Sequence, residues 1–135
     1  MSVSFDHLGV ATESGADLAE TFETLFDASL VHEERFGGMT VRFLDLGRGY
    51  FEILEPHETG TISQFLSRNG PGIHHVALRT ADLDAALNRA RDAGVELVDE
   101  EPRPGAWGHD VAFLHPNSTG GVLVEYVDGA SAASE

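Results

Sequence analysis

The sequence predicts an α+β fold of two βαβββ modules. Their strands form a curved mixed sheet, a cup with the helices on its convex side. Three observations predict it. Each half opens on a strand motif with histidine, FDHLGVAT at 5–12 and IHHVALRT at 73–80. Each continues into a helical pattern, DLAETFETLF at 17–26 and DLDAALNRAR at 82–91. Each ends on an apolar strand that carries a glutamate, YFEILEP at 50–56 and VLVEYVD at 122–128. An internal repeat of one supersecondary unit is stronger evidence than composition for a paired architecture.

Each element has a local reason. Val3–Ala11 alternates as a strand does. In Asp17–Phe26, Leu18, Phe22 and Leu25 recur at helical spacing and make one apolar face. Ser29–Glu34 and Thr40–Leu46 read as strands around a Gly37-Gly38 turn. Gly47-Arg48-Gly49 turns the chain into the strand Tyr50–Glu55, which Pro56 ends. Ile62–Arg68 is a short helix, and Asn69-Gly70-Pro71-Gly72 is the one strong break. Ile73–Arg79 is the next strand. Leu83–Ala93 is a helix with Leu83, Leu87 and Ala90 on one face, stopped by Gly94. Val95–Glu100, Val111–Leu114 and Val122–Val127 complete the strands. One domain results, with modules at about 3–68 and 73–127 and a small, polar, disordered tail at 128–135.

Composition narrows the function. The 135 residues suit one domain, and 41% hydrophobic content can fill a core. No apolar run is long enough for a membrane helix, and MSVSFDHLGV lacks the pattern of a signal peptide, so the cytoplasm is expected. Without cysteine, any metal must sit on nitrogen and oxygen ligands. Acidic residues outnumber basic ones 23 to 8, for a net charge of −15, and all the basic residues are arginine. Such a surface repels nucleic acid and anionic lipid, which excludes both as partners. It also fits a halophile, whose carboxylates keep it soluble when salt screens their repulsion.

The parity of the strands separates two faces. His7 shares its face with Phe5, Gly9 and Ala11, and His75 with Ala77 and Arg79. Glu52 lies with Tyr50 and Leu54, against Phe51 and Ile53. Glu125 lies with Leu123 and Val127, against Val122, Val124 and Tyr126. The four candidates therefore share the face turned away from the helices. A lone strand histidine is commonly a hydrogen-bonded structural residue, and a buried glutamate can be answered by an arginine, here Arg79. The repetition at matching places favours a metal instead. Imidazole with carboxylate suits divalent cobalt, manganese, nickel or zinc, with positions left for water or substrate.

The same residues resemble the vicinal-oxygen-chelate (glyoxalase-like) superfamily, and within it the methylmalonyl-CoA epimerases. DHLGVA at 6–11 and the βαβββ repeat carry the first resemblance. GIHHVAL at 72–78, DEEPRPGAWG at 99–108 and FLHPNSTGGVLVEY at 113–126 carry the second. It implies a divalent metal on His7, Glu52, His75 and Glu125, an acyl-CoA substrate and a homodimer. His74 and His115 are then structural, the latter bracing a loop. Some epimerases carry a glutamate in the third strand, three residues after a glycine. Aligned on Gly38, that place holds Val41.

The implied reaction interconverts (R)- and (S)-methylmalonyl-CoA through an enolate. Inversion calls for two acid/base groups. Glu125 is the first, and Glu52 its counterpart, unless a residue such as Glu34 or His109 moves the other proton. Arg42, Arg79 and Arg103 are candidates for the anionic CoA, or are surface ion pairs. Trp107 in the Pro102–Gly108 loop is a candidate wall of a lid, or part of an ordinary turn. The alternatives are a glyoxalase I-type lactoylglutathione lyase and a non-catalytic small-molecule-binding module. The HPNSTGG turn before the last strand argues against the first, and the full ligand set against the second and against an extradiol dioxygenase.

Overall fold

Tyr50–Pro56 (β4) is a strand buried on both faces at its centre, where Glu52, Ile53 and Leu54 have almost no exposure. It runs parallel to Val3–Ala11 (β1), with Gly9 beside Glu52, and antiparallel to Met39–Asp45 (β3), with Phe43 beside Glu52. The computed structural model describes residues 3–129. The chain divides into two compact units, His7–His74 and Met1–Asp6 with His75–Glu135.

In the first unit the strand order is β2-β3-β4-β1, where β2 is Ser29–Phe36. Two helices belong to it, α1 (Gly15–Phe26) and α2 (Thr61–Asn69). Leu18, Ala19 and Phe22 of α1 pack on Leu44, Phe51 and Ile53, so this face of the sheet is apolar. Gly37 and Gly38, at φ 58° and 78°, form the two-residue turn between β2 and β3, a conformation that glycine adopts at least cost. Gly15 has a different reason. A side chain there would collide with Arg42 and Glu55, whose ion pair lies beneath the start of α1.

In the second unit the order is β5-β8-β7-β6, with β5 at Gly72–Thr80, β6 at Arg103–Pro104, β7 at Asp110–Leu114 and β8 at Val124–Asp128. Helix α3 (Leu83–Asp92) begins at Asp82, whose carboxylate accepts the Ala85 N–H at 3.1 Å. Leu83 and Leu87 pack on Ala112, Leu97 and Tyr126. The mixed α+β class, the repeated β-α-β-β-β order and the helix-packed parity of Phe51, Ile53 and Tyr126 are as the sequence predicts.

Three local expectations need correction. Val95–Glu100 is not a continuous strand, and the short β6 lies at Arg103–Pro104 instead. Asp99 explains this. Its carboxylate accepts the Phe113 N–H at 2.8 Å, the place a strand backbone would take. Pro102 and Pro104 then limit any ladder, having no N–H. The last strand starts at Val124, not Val122, because the Thr119 hydroxyl donates to the Val122 carbonyl at 2.6 Å and keeps it in the turn. Asp128 belongs to β8, and the Gly129 N–H donates to the Thr80 carbonyl at 2.7 Å, so the ordered chain runs past 127. The rest of the expected disordered tail, 130–135, lies outside the described residues.

Candidate metal centre and active site

The first unit builds its half of the site from three neighbouring strands. His7 projects from β1 and Glu52 from β4, and the imidazole Nε2 is 3.0 Å from the carboxylate Oε1. Both are buried. The parallel register sets Gly9, not a larger residue, beside Glu52, which leaves space for the pair. Phe43 stands opposite Glu52 in β3, and its ring meets the His7 ring in a T-shaped contact at 5.5 Å.

The second unit repeats this contact for contact. His75 Nε2 of β5 is 3.1 Å from Glu125 Oε1 of β8. Ala77 stands beside Glu125, where the first unit has Gly9. Phe113 of β7 is opposite Glu125, and its ring meets His75 at 5.5 Å. Two buried imidazole–carboxylate pairs, each with a small residue on one side and a phenyl ring on the other, are costly to bury without a further role. His7, Glu52, His75 and Glu125 form a buried group that could bind a metal ion. Two nitrogen and two oxygen donors fit a divalent transition metal.

The other predicted residues sort by face. Arg42 lies opposite Ile53, on the α1 side, and binds Glu55 at 2.7 Å. It is not brought to the side of Glu52. Arg79 donates from both Nε and an Nη to Asp6 Oδ1, at 2.9 and 2.7 Å. It is therefore Asp6 that answers Arg79, and a histidine that answers Glu125. Arg103 stands opposite Val111 and lies over the Phe113 ring, 5.4 Å from its centre, on the side of Glu125. Asp99 holds it at 3.0 Å. Trp107 adopts a left-handed conformation, φ 62°, which is uncommon for a large side chain, and its ring lies 6.4 Å from that of buried His109.

His74 packs its ring against Phe65 of α2 at 5.1 Å, on the face away from His75. His115 braces its turn, accepting the Asn117 N–H on Nδ1 at 3.0 Å. Both fit the structural roles expected. Val41 is fully buried and apolar, so its position supplies no proton. The sequence reading missed Asp6, Phe43 and Phe113. For Asp6 the available signal was a carboxylate inside an apolar strand beside the histidine.

The sequence profile of the glyoxalase/bleomycin resistance protein/dioxygenase superfamily matches residues 6–113. The chain belongs to this superfamily. It is 34% identical over 125 residues to the ethylmalonyl-CoA/methylmalonyl-CoA epimerase of Cereibacter sphaeroides, covering 89% of this chain and 93% of that one. It is likewise 34% identical to the mitochondrial methylmalonyl-CoA epimerase of Dictyostelium discoideum, covering 89% of this chain and 75% of the other. Among solved structures it matches a variant of the Streptomyces coelicolor methylmalonyl-CoA epimerase in complex with 2-nitronate-propionyl-CoA. The TM-score there is 0.88 and the identity 33%, over 99% of this chain and 100% of that one.

Proposed function

We propose that this protein is a metal-dependent epimerase that interconverts (R)- and (S)-methylmalonyl-CoA through an enolate at the α-carbon. The observation that carries the reading is the repeated His–Glu pair, His7 with Glu52 and His75 with Glu125, in a chain that matches two such epimerases over 89% of its length.

In this reading His7, Glu52, His75 and Glu125 hold one divalent ion: cobalt, manganese, nickel or zinc. Bound there, the ion would supply Lewis acidity toward the charge that develops on the thioester oxygen. Glu125 removes the α-proton on one face, and the electron pair of that C–H bond moves toward the thioester carbonyl. A proton returned to the opposite face of the same carbon completes the inversion. For that second transfer there are two candidates, Glu52 by symmetry and a carboxylate outside the ligand set. Gly9 and Ala77 leave room for the acyl group beside the two glutamates. Arg103, on the side of Glu125, supplies positive charge for an anionic substrate in a chain whose net charge is −15. Trp107 and its loop serve as a wall of the site.

The two modules act as one domain, the protein works as a homodimer in the cytoplasm, and its carboxylate-rich surface suits high salt. Among the described residues no helix is long and apolar enough to cross a membrane. The deciding experiment is proton NMR of the protein with methylmalonyl-CoA in D2O, metal-loaded and chelated. Metal-dependent loss of the α-proton signal above the spontaneous rate is expected. No exchange with any divalent ion, together with turnover of a hemithioacetal, would move the protein to glyoxalase I chemistry.

A further inference from the structure

On the face that carries Glu52, the first unit has a second imidazole–carboxylate pair. His32 Nε2 and Glu34 Oε1 of β2 are 2.7 Å apart, and both side chains are about a quarter exposed, at 26%. Register places them. His32 stands opposite Phe43, which stands opposite Glu52, and Glu34 stands opposite Val41, which stands opposite Leu54. Side chains directly opposite one another across a ladder share a face. The His32 ring lies 6.2 Å from the Phe43 ring, which also touches His7.

A bulge is what puts the pair there. The register slips between Leu30 and His32, so Leu30 opposes Leu44 on the helix side while His32 opposes Phe43 on the other. Without that slip, simple alternation from Leu30 would turn both His32 and Glu34 toward α1. Bulges recur beside functional sites because they re-aim side chains in this way.

We infer that Glu34, held by His32, is the second acid/base residue, delivering the proton to the face opposite the one Glu125 serves. The inference rests on the epimerase reading. One carboxylate can leave a group of four ligands and leave three. If Glu52 moved the other proton as well, only His7 and His75 would remain. A carboxyl group outside the ligand set avoids this, and two described residues on the Glu52 face of β2, β3 and β4 offer one, Asp45 and Glu34. Asp45 ends β3 and its carboxylate accepts the Gly47 N–H at 2.7 Å in the turn, whereas Glu34 has an imidazole partner, His32, that can share its proton. The balance is simple. The Glu125 carboxylate gains the α-proton, the protonated Glu34–His32 pair gives one to the enolate carbon, and the reverse reaction exchanges the roles. Val41 and Leu54 line the floor beside Glu34, and their apolar surface limits competition from water.

The test is Glu34→Gln in the full, metal-loaded chain, assayed with each epimer separately in D2O. Two signals are followed, α-proton exchange and inversion, with bound metal measured by mass spectrometry. The expected result has three parts. Metal content is unchanged. One epimer still exchanges its α-proton near the wild-type rate. Inversion falls about 100-fold or more. His32→Gln, which removes the positioning partner, gives a smaller loss with the same split. Inversion by Glu34→Gln at the wild-type rate would overturn the inference and leave the epimerase reading standing. Equal loss of exchange from both epimers would overturn the one-face assignment. A wild-type protein that exchanges neither epimer would remove the epimerase reading itself.

Discussion

Phe113 and His75 meet in a T-shaped contact, ring centroids 5.5 Å apart and planes at 77°. Phe43 and His7 repeat it at 5.5 Å and 89°. In each unit the phenyl ring also stands opposite the glutamate that the histidine faces. The ring therefore limits how the imidazole can rotate, and excludes water from one side of the pair. A ligand whose orientation is fixed loses less entropy when it binds.

The rings should thus matter to the metal and not only to the core. Phe113→Leu keeps most of the apolar volume and removes the ring edge. Metal affinity should fall about 10-fold, the low end for groups that orient a ligand, with the far-UV circular dichroism unchanged. Calorimetric titration with divalent cobalt gives the number. An unchanged affinity would confine Phe113 to packing.

His7→Ala and His75→Ala test the ligands themselves. A metal that binds only the folded protein raises the melting temperature. Wild type should show that rise on loading, and each variant should lose it along with its bound metal. Full occupancy in His7→Ala would take His7 out of the site, and the pseudo-symmetric variant provides the internal comparison.

Glu125→Gln keeps the shape of the side chain and removes its basicity. Exchange of the substrate α-proton should drop by about 10²- to 10⁴-fold, the usual worth of a positioned general base. The thermal transition should stay close to wild type. Exchange at the wild-type rate would show that another group takes the proton.

Asp6 and Arg79 form an asymmetric pair. Asp6 is 6% exposed, whereas the Arg79 side chain is 32% exposed. Arg79→Ala leaves a carboxylate buried without its guanidinium and should cost about 3 kcal/mol, the lower end for a broken buried pair. Asp6→Asn leaves an arginine that can reach solvent, and should cost less. Urea unfolding of both variants and of the double variant measures the order. A larger cost for Asp6→Asn would contradict it.

The internal repeat and strand parity together brought out His7, Glu52, His75 and Glu125, because polar residues at matching places in apolar strands stand out against a period of two. The same logic could not bring out Phe43 or Phe113. A phenylalanine in a strand looks like core whichever way it faces, and only the register shows what it touches. Asp6 was hidden because its counterion lies 73 residues away in sequence. The β2 bulge left no mark, since Val31 is an ordinary strand residue. Asp99 misled in the opposite direction, because its side chain takes the Phe113 N–H and leaves Val95–Glu100 with a single bridge, Leu97 to Leu114, in place of a ladder. Arg42, Arg79 and Arg103 were indistinguishable as sequence. Their carboxylate partners and faces separate them.

The charge leads to the last prediction. A net charge of −15 on 135 residues repels itself, and no lysine offsets it. Salt shortens the range of that repulsion from about 10 Å at 0.1 M to about 3 Å at 1 M. Two effects of salt then oppose each other. Screening relieves the carboxylate surface, and it weakens exposed pairs such as Arg91 with Glu100, which are worth little in any case. The half-buried Asp6–Arg79 pair is screened less. Relief should win, so the melting temperature of the metal-free protein should rise steadily from 0.05 M to at least 1 M potassium chloride. Choline chloride should act much as potassium chloride does if screening is the cause. A melting temperature that stays flat or falls over this range would reject the halophilic reading and leave an ordinary acidic protein.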